Sequence, residues 1–389
     1  MDTVYLPRED SYLLQKHIEK SCKKNSSVLD MGTGSGIQAI AASKSAKKVV
    51  ACDINHEAIK YAKEEAMNQN IKNIKFIESD LFSNIPNQKF DLIAFNPPYL
   101  PEEKNVENIA LFSGKRGTKT TTRFIDDAAE FLADDGIILI TGSSLAKKSI
   151  IDEAINKNLL NYELLETQHV FFEDIFVIKI VKSDLLKTLV KNKISYAEIF
   201  SHGKRGLIIK GIYKKKTVAV KVKNQKSDAM GTIANEARFL ELLNKKGIGP
   251  KLILHKNDFL MYKFVTGDLI FDFVKKSKKN NILTVLKRVF EQMYLMDTLG
   301  INKFEMHHPI KHILIDKNKP VLIDFERARH TEDPKNVTQF CDFLIGEDMS
   351  NLLKEKKINL KKEVMINHAK TYKHNPIFRN YKKIIGVLK

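Results

Sequence analysis

An asparagine, two prolines and a tyrosine follow directly on an apolar run in KFDLIAFNPPYLP (Lys89–Pro101). Neither proline donates a ladder hydrogen bond and both lock the backbone, so a strand must stop there. What it stops on is chemically useful. The lone pair of an amide nitrogen, or of an exocyclic amine on a base, is delocalised, which makes it a poor nucleophile. A site helps by accepting both N–H protons. The side-chain oxygen of Asn96 and the backbone carbonyl of Pro97 suit that task, since proline fixes the carbonyl direction and neither group titrates near neutrality. Tyr99 can stack on the planar acceptor. Group transfer to that nitrogen then needs mainly in-line positioning.

A second cluster lies upstream. SSVLDMGTGSGIQAIAASKS reads as a strand (Val28–Met31), a glycine turn and a helix from Ile37. Gly32, Gly34 and Gly36, with Thr33 and Ser35 between them, allow tight turns and let a ligand approach the backbone. KKVVACDIN follows as a second strand ending in Asp53, about twenty residues on, where an acid can accept from both hydroxyls of a ribose. The spacing D-x-G-x-G-x-G fits a sulfonium methyl donor, S-adenosylmethionine, better than a dinucleotide. A nicotinamide enzyme calls for G-x-G-x-x-G, which cradles a pyrophosphate on the helix N-terminus. An oxidoreductase is the alternative that this spacing disfavours.

The elements that must carry these residues alternate. Strand, helix HEAIKYAKEEAMNQN, strand IKFIES ending at Asp80 and strand FDLIAF ending at Asn96 give a parallel doubly wound sheet. Ligands in such sheets sit outside the carboxyl ends of the strands, where Asp30, Asp53, Asp80 and Asn96 all fall.

Together VYLPREDSYLL, VLDMGTGSG, DIN, SDLF and FNPPYLP resemble the HemK-related methyltransferases, specifically the short archaeal and eukaryotic type, which methylate a glutamine side-chain amide in translation termination factors. GKRGTKTTTRFIDDAAEFLADDGIILITGSSL and the closing strand pair QHVFFEDIFVIKIVK fit the same pattern, so the resemblance covers about residues 1–182. It implies a class I methyltransferase, Rossmann-like fold. It implies cofactor contacts from Ser11, Gly32–Gly36, Asp53, Asp80 and Asn96, and acceptor contacts from Asn96, Pro97 and Tyr99. The sequence shows no helical domain before its first motif, so docking of a termination factor falls to another part or to a small activating subunit. N-P-P-Y also occurs in adenine-N6 methyltransferases of nucleic acid, so that acceptor stays open.

The chain has 389 residues, too many for one ordinary core, and two domains are expected: 1–182 and 183–389. KSDLLKTLVKNKIS reads as a charged helical connector. Net charge is +18 but uneven: residues 1–182 carry 23 Lys+Arg against 26 Asp+Glu, so the excess lies in the second half. Such a field suits polyanions such as nucleotides or RNA, or is a solvated lysine-rich face. With 43% apolar and 29% charged residues the composition is that of a globular protein. No run of about 18 uncharged apolar residues suggests a membrane span. The N-terminus does not read as a signal peptide, and three scattered cysteines argue against a disulfide framework, which points to a cytoplasmic location.

In the second half, IFSHGKRGLIIKGIYKKKTVAVKVK reads as three strands with a glycine turn (Gly203, Gly206), and Lys221 lies on the third. Glu236 lies on the following amphipathic helix IANEARFLELLN. Lysine on a third strand paired to glutamate on the next helix is the arrangement that holds the α- and β-phosphates of ATP in protein kinases. FLMYKFVTGDLI reads as a hinge. KPVLIDFERA puts Asp324 where D-F-G carries its magnesium-binding acid, with Glu326 where glycine is usual.

About residues 195–345 resemble the divergent kinase-like proteins related to the RIO and lipopolysaccharide-kinase group. The resemblance implies an α+β bilobal domain using ATP and magnesium. Its catalytic loop departs from H-R-D-x-x-x-x-N. In NKFEMHHPIKHILID, Glu305 stands at the aspartate position and His312 at the asparagine position with a longer interval, while a gapless alignment puts His307 at the base. Lys311 can neutralise a γ-phosphate. Asp324 and His312 are the candidate magnesium ligands. The histidines lack a zinc partner set and read as a modified nucleotide loop. The basic tail 352–389, with interleaved Tyr and Phe, reads either as an RNA or ribosome contact or as a helical cap. The expected whole is an N-methyltransferase fused to an ATP-dependent Ser/Thr protein kinase. The alternative is an adenine methyltransferase carrying a nucleotide-binding pseudokinase as docking module.

Overall fold

A computed structural model describes residues 4–100, 113–114, 116–203, 206–223 and 232–389. Pro101 of the opening motif, Lys115 and the glycine-turn tip 204–205 lie outside the described residues. The chain divides into two compact units, Met1–Phe200 with Gly211–Lys214, and Ser201–Lys210 with Lys215–Lys389. The division falls later than residue 182.

The first unit runs α1 (Glu9–Ser21), β1 (Ser27–Met31), α2 (Ile37–Ser43), β2 (Lys48–Asp53), α3 (His56–Asn68), β3 (Ile74–Glu78), β4 (Phe90–Phe95), α4 (Lys119–Phe131), β5 (Leu132–Ser143), α5 (Lys148–Lys157), β6 (Leu160–Val170), β7 (Glu173–Lys182), α6 (Asp184–Lys191) and β8 (Ile194–His202). A seven-stranded sheet has the order β3-β2-β1-β4-β5-β7-β6. β1 pairs in parallel with β2 and β4, and β7 enters antiparallel between β5 and β6. The order reverses beside β1, so the ends of β1 and β4 open a crevice at that switch point. β1 and β4 are central and covered on both faces, which explains their near-continuous apolar runs. α3 buries Ala58, Ala62 and Ala66, four residues apart on one helical face. Those small side chains let α3 lie close to the turn after β1.

In the second unit, β9 (Gly206–Tyr213), β10 (Lys216–Lys223), β12 (Phe259–Lys263) and β11 (Leu252–His255) lie side by side in that order. β10 and β12 pair antiparallel, Lys221 opposite Leu260. α7 (Thr232–Asn244) follows β10. α8 (Ile270–Lys276), α9 (Lys279–Thr298), α10 (Asn336–Ile345), α11 (Glu347–Glu355), α12 (Lys362–His374) and α13 (Phe378–Ile385) share one apolar core with Phe290, Met293, Phe325 and Phe340. Asp297 on α9 pins two of them: it accepts from Asn336 and Val337 at the start of α10 and from Tyr372 Oη of α12 at 3.0 Å. Burial pushes this carboxyl up to about 6 against those hydrogen bonds.

The basic tail is helical, and its tyrosines turn inward. Tyr372 and Tyr381 are 1% and 6% exposed, and Tyr381 stacks on Tyr294 at 4.4 Å. Apolar packing has taken both tyrosine rings, as a helical cap requires, and leaves Phe378 exposed.

Gly36 caps α2 at φ +86°, and a Cβ there would lie 2.9 Å from Ala62 Cβ. Gly36→Ala combines left-handed strain with overpacking and is expected to destabilise the first unit by about 1–3 kcal/mol. Thermal melts should show Gly36→Ala/Ala62→Gly recovering only part of the loss, because the contact is relieved but the backbone strain is not.

Candidate functional site

The turn after β1 is built around Asp30. This acid is 1% exposed; Thr33 Oγ1 donates to its Oδ2 at 2.6 Å and the Ala39 N–H to the same oxygen at 3.0 Å, tying the turn to α2. Gly32 and Gly34 have φ of +62° and +51°, and the Thr33 N–H donates to the Cys52 carbonyl at 2.8 Å. Thr33 and Ser35 are buried within the turn. Asp53, at the end of β2, accepts the Gly34 N–H on Oδ2 and the Asn55 N–H on Oδ1, each at 2.9 Å. Burial raises its carboxyl and these N–H groups oppose the rise. The Ile54 N–H is a third backbone donor to this carboxylate. Asp80 lies two residues past β3, half-exposed and paired with Arg123 at 2.8 Å.

Asn96 follows β4 directly. Its Nδ2 donates to Asp10 Oδ2 at 3.1 Å, and Thr141 Oγ1 on β5 donates to its Oδ1. Tyr99 Oη also donates to Asp10, at 3.0 Å, and burial together with that carboxylate raises the phenol. Pro97 is buried. The Cβ-less Gly117 packs against the Tyr99 carbonyl and bars any side chain there. Ser11 is buried beside Asp10, and its carbonyl accepts from Gln38 Nε2 at 2.8 Å, linking α1 to α2. The sequence reading reached Ser11, Asn96, Pro97 and Tyr99 but missed Asp10 and Thr141. Asp10 was within sight, adjacent to Ser11 in the same short motif. Thr141 had no signal beyond a hydroxyl inside an apolar strand.

Comparisons with known proteins bear on the first unit. The family model "Methyltransferase small domain" matches residues 9–172. A protein of Methanocaldococcus jannaschii, provisionally named a protein N5-glutamine methyltransferase, is 46% identical over 160 residues, covering 40% of this chain and 78% of that protein. The chain belongs to the protein N5-glutamine methyltransferase family. The release factor glutamine methyltransferase of Streptococcus pneumoniae is 36% identical over 152 residues, and the chain spans 54% of its length. A solved structure of the E. cuniculi Mtq2–Trm112 complex aligns over 46% of this chain and 99% of that chain, at 23% identity and a TM-score of 0.39.

As a member of this family the protein is a methyltransferase using S-adenosylmethionine, and the turn fits such a ligand: three glycines at positive φ bend the backbone after β1, and Asp53 at the end of β2 is tied to that turn through the Gly34 N–H. No described helix is long and apolar enough to cross a membrane.

The second unit of this methyltransferase gathers charge. Lys221 Nζ lies 2.7 Å from Glu236 Oε2, 3.1 Å from Asp324 Oδ1 and 2.5 Å from Glu326 Oε1. Burial would lower this lysine, but the three carboxylates outweigh it and hold it above its ordinary value. Burial would likewise raise Asp324, yet Lys221 and Lys303 keep it low. Asp324 is left-handed at φ +65°, a strained conformation for a non-glycine residue. Lys303, absent from the sequence reading, is wholly buried; it donates to the Asp324 carbonyl and lies 3.4 Å from Glu305 Oε2. His312 Nδ1 is 3.8 Å from Asp324 Oδ2, and burial followed by Lys303 lowers its pKa. His307, by contrast, is exposed, with Nδ1 3.1 Å from the Phe304 carbonyl. Lys311 is exposed too. Of the two alignments, the geometry brings Glu305 and not His307 into the Asp324 network. Glu236, Asp324 and Glu326 each offer an oxygen within 4.8 Å of the others, a donor type suited to magnesium.

Asp30 provides a test of the first site. Burial pushes its carboxyl from 3.8 up to about 7. The folded chain therefore holds the proton more tightly than the unfolded chain. Its stabilisation is complete below pH 3.8 and is lost as pH rises through about 7. The stability advantage of wild type over Asp30→Asn should therefore be larger near pH 5 than near pH 8, as read by denaturant melts at stepped pH.

Proposed function

We propose that the first unit methylates the side-chain amide nitrogen of a glutamine in a translation termination factor. The observation that carries the reading is the clamped Asn96, whose Nδ2 faces Asp10 and whose Oδ1 is thereby turned the other way, towards Thr141. In this reading Ser11, Gly32, Thr33, Gly34, Ser35, Gly36, Asp53 and Asp80 hold the cofactor. Bound S-adenosylmethionine would supply a methyl group on a sulfonium. Asn96 Oδ1 and the Pro97 carbonyl accept the two N–H protons of the acceptor amide, orienting its nitrogen, and Tyr99 covers its plane. Loss of one N–H proton on transfer needs no buried base, because the alkylated amide is strongly acidic. The names of the relatives, release factor glutamine methyltransferases among them, favour glutamine over adenine. A small activating subunit is part of the proposal.

The same geometry supports a second activity for the second unit: binding of ATP with magnesium and phosphoryl transfer to a protein Ser/Thr. Lys221 paired with Glu236 would hold the α- and β-phosphates, and Asp324, with His312 beside it, would hold the metal. Glu305, partly buried near Lys303 and Arg327, would accept the hydroxyl proton.

Incubation with labelled S-adenosylmethionine and mass spectrometry of the methylated products identifies the acceptor. Label should appear on a glutamine and fall about 100-fold in Asn96→Ala, the scale of deleting one preorganised polar group at a reacting centre. Label on adenine alone refutes the glutamine reading. For the second unit, ATP turnover should vanish in Lys221→Ala and in Asp324→Ala; wild-type protein that binds ATP without turnover is a docking module instead.

A further inference from the structure

Asp10 lies in the first turn of α1, 3% exposed, with five donor contacts on one carboxylate. On Oδ2 it accepts from Tyr5 Oη at 3.0 Å, Asn96 Nδ2 at 3.1 Å and Tyr99 Oη at 3.0 Å. On Oδ1 it accepts from the Ser11 N–H at 2.6 Å and the Ser11 hydroxyl at 3.1 Å. The group is therefore shared between the side assigned to the cofactor and the side assigned to the acceptor.

An asparagine amide has two orientations that exchange its oxygen and nitrogen. Only one of them offers an acceptor to an incoming –NH₂; the other offers a donor to a donor. A carboxylate has no proton to give, so the amide atom facing it must be nitrogen. That turns Asn96 Oδ1 the opposite way, where the Thr141 hydroxyl occupies one lone pair and the second remains for the substrate.

We propose that Asp10 is the positioning residue of the transfer site, selecting the Asn96 orientation that accepts an N–H and so making the site specific for amines. The proposal rests on Asn96 being the group that receives the acceptor amine. Tyr5 and Tyr99 add to the selection by supplying two more donors that hold the carboxylate in place.

Asp10→Asn keeps the size of the side chain but changes the logic. The Ser11 N–H still demands an oxygen, so the new NH₂ falls where Oδ2 was and meets Asn96 Nδ2. Asn96 must then flip, with the Thr141 hydroxyl rotating to accept. The expected result is a kcat lowered about 100-fold, as for a misplaced reacting group. The KM for the –NH₂ acceptor should rise as well, because the flipped amide meets it donor to donor, while that for S-adenosylmethionine stays close to wild type.

The double variant Asp10→Asn/Asn96→Asp restores an acceptor on both sides, because the introduced carboxylate accepts from the new NH₂ and still faces the substrate. It should recover most of the lost kcat. Asn96→Asp alone sets two carboxylates against each other and should remain impaired. Rates are read on whichever –NH₂ acceptor the wild-type chain methylates, a glutamine peptide or an adenine oligonucleotide, so loss of the glutamine reading leaves this test standing. Wild-type kcat in Asp10→Asn overturns the proposal, as does a folded double variant no faster than Asp10→Asn. Melts with and without S-adenosylhomocysteine report folding. If Asp10→Asn alone does not fold, activity in the double variant, where the new NH₂ regains an acceptor at position 96, supports the proposal, and a folded but inactive double variant overturns it.

Discussion

A bare backbone between β1 and α2 is the constraint on which the first unit depends. Gly32, Gly34 and Gly36 all take positive φ, and the last of them abuts Ala62 on α3. A side chain at these places would strain the chain or push α3 off the sheet. Asp30 stitches the turn to α2 through Thr33 and the Ala39 N–H, so the loop is held by hydrogen bonds as well as by its packing on α3. The loop in turn sets where Asp53 meets the backbone and how close β4 delivers Asn96. The reaction crevice is thus a consequence of sheet order, of small residues where elements meet, and of one buried acid.

Both units keep charged groups out of water, and the reasons differ. In the first, Asp10 is satisfied by five donors and orients its neighbours, so its burial is compensated by hydrogen bonding. In the second, three carboxylates share Lys221, and Lys303 serves the Asp324 carbonyl. One lysine cannot neutralise three acids. The desolvation of such a cluster is weak evidence for stability.

Much of the first unit was legible along the chain because its signals are local. A strand ends at Asn96 since Pro97 and Pro98 cannot continue a ladder; the turn bends at Gly32, Gly34 and Gly36 since glycine tolerates the left-handed region; the helix that holds Lys221's partner shows its amphipathic period. The lysine–glutamate pairing of Lys221 and Glu236 was also readable, because strand and helix are neighbours in sequence. Whether Glu305 or His307 would join Asp324 was not separable by spacing, since short 3-10 turns absorb a residue or two without a periodic trace.

By itself the sequence determined which residue types stand at strand ends and where the chain must turn, because backbone sterics and side-chain periodicity act over a few residues. It therefore settled the parallel sheet, the glycine turn and the Asn96–Tyr99 motif. Only tertiary structure decided that Asp10, 86 residues before Asn96, meets its amide, that Thr141 closes the other side, and that Glu326 and Lys303 join the Lys221–Asp324 centre. It also turned the tail's tyrosines into core. These contacts join distant segments through hydrogen-bond direction and burial, which depend on how whole elements pack and leave no periodic mark in the chain.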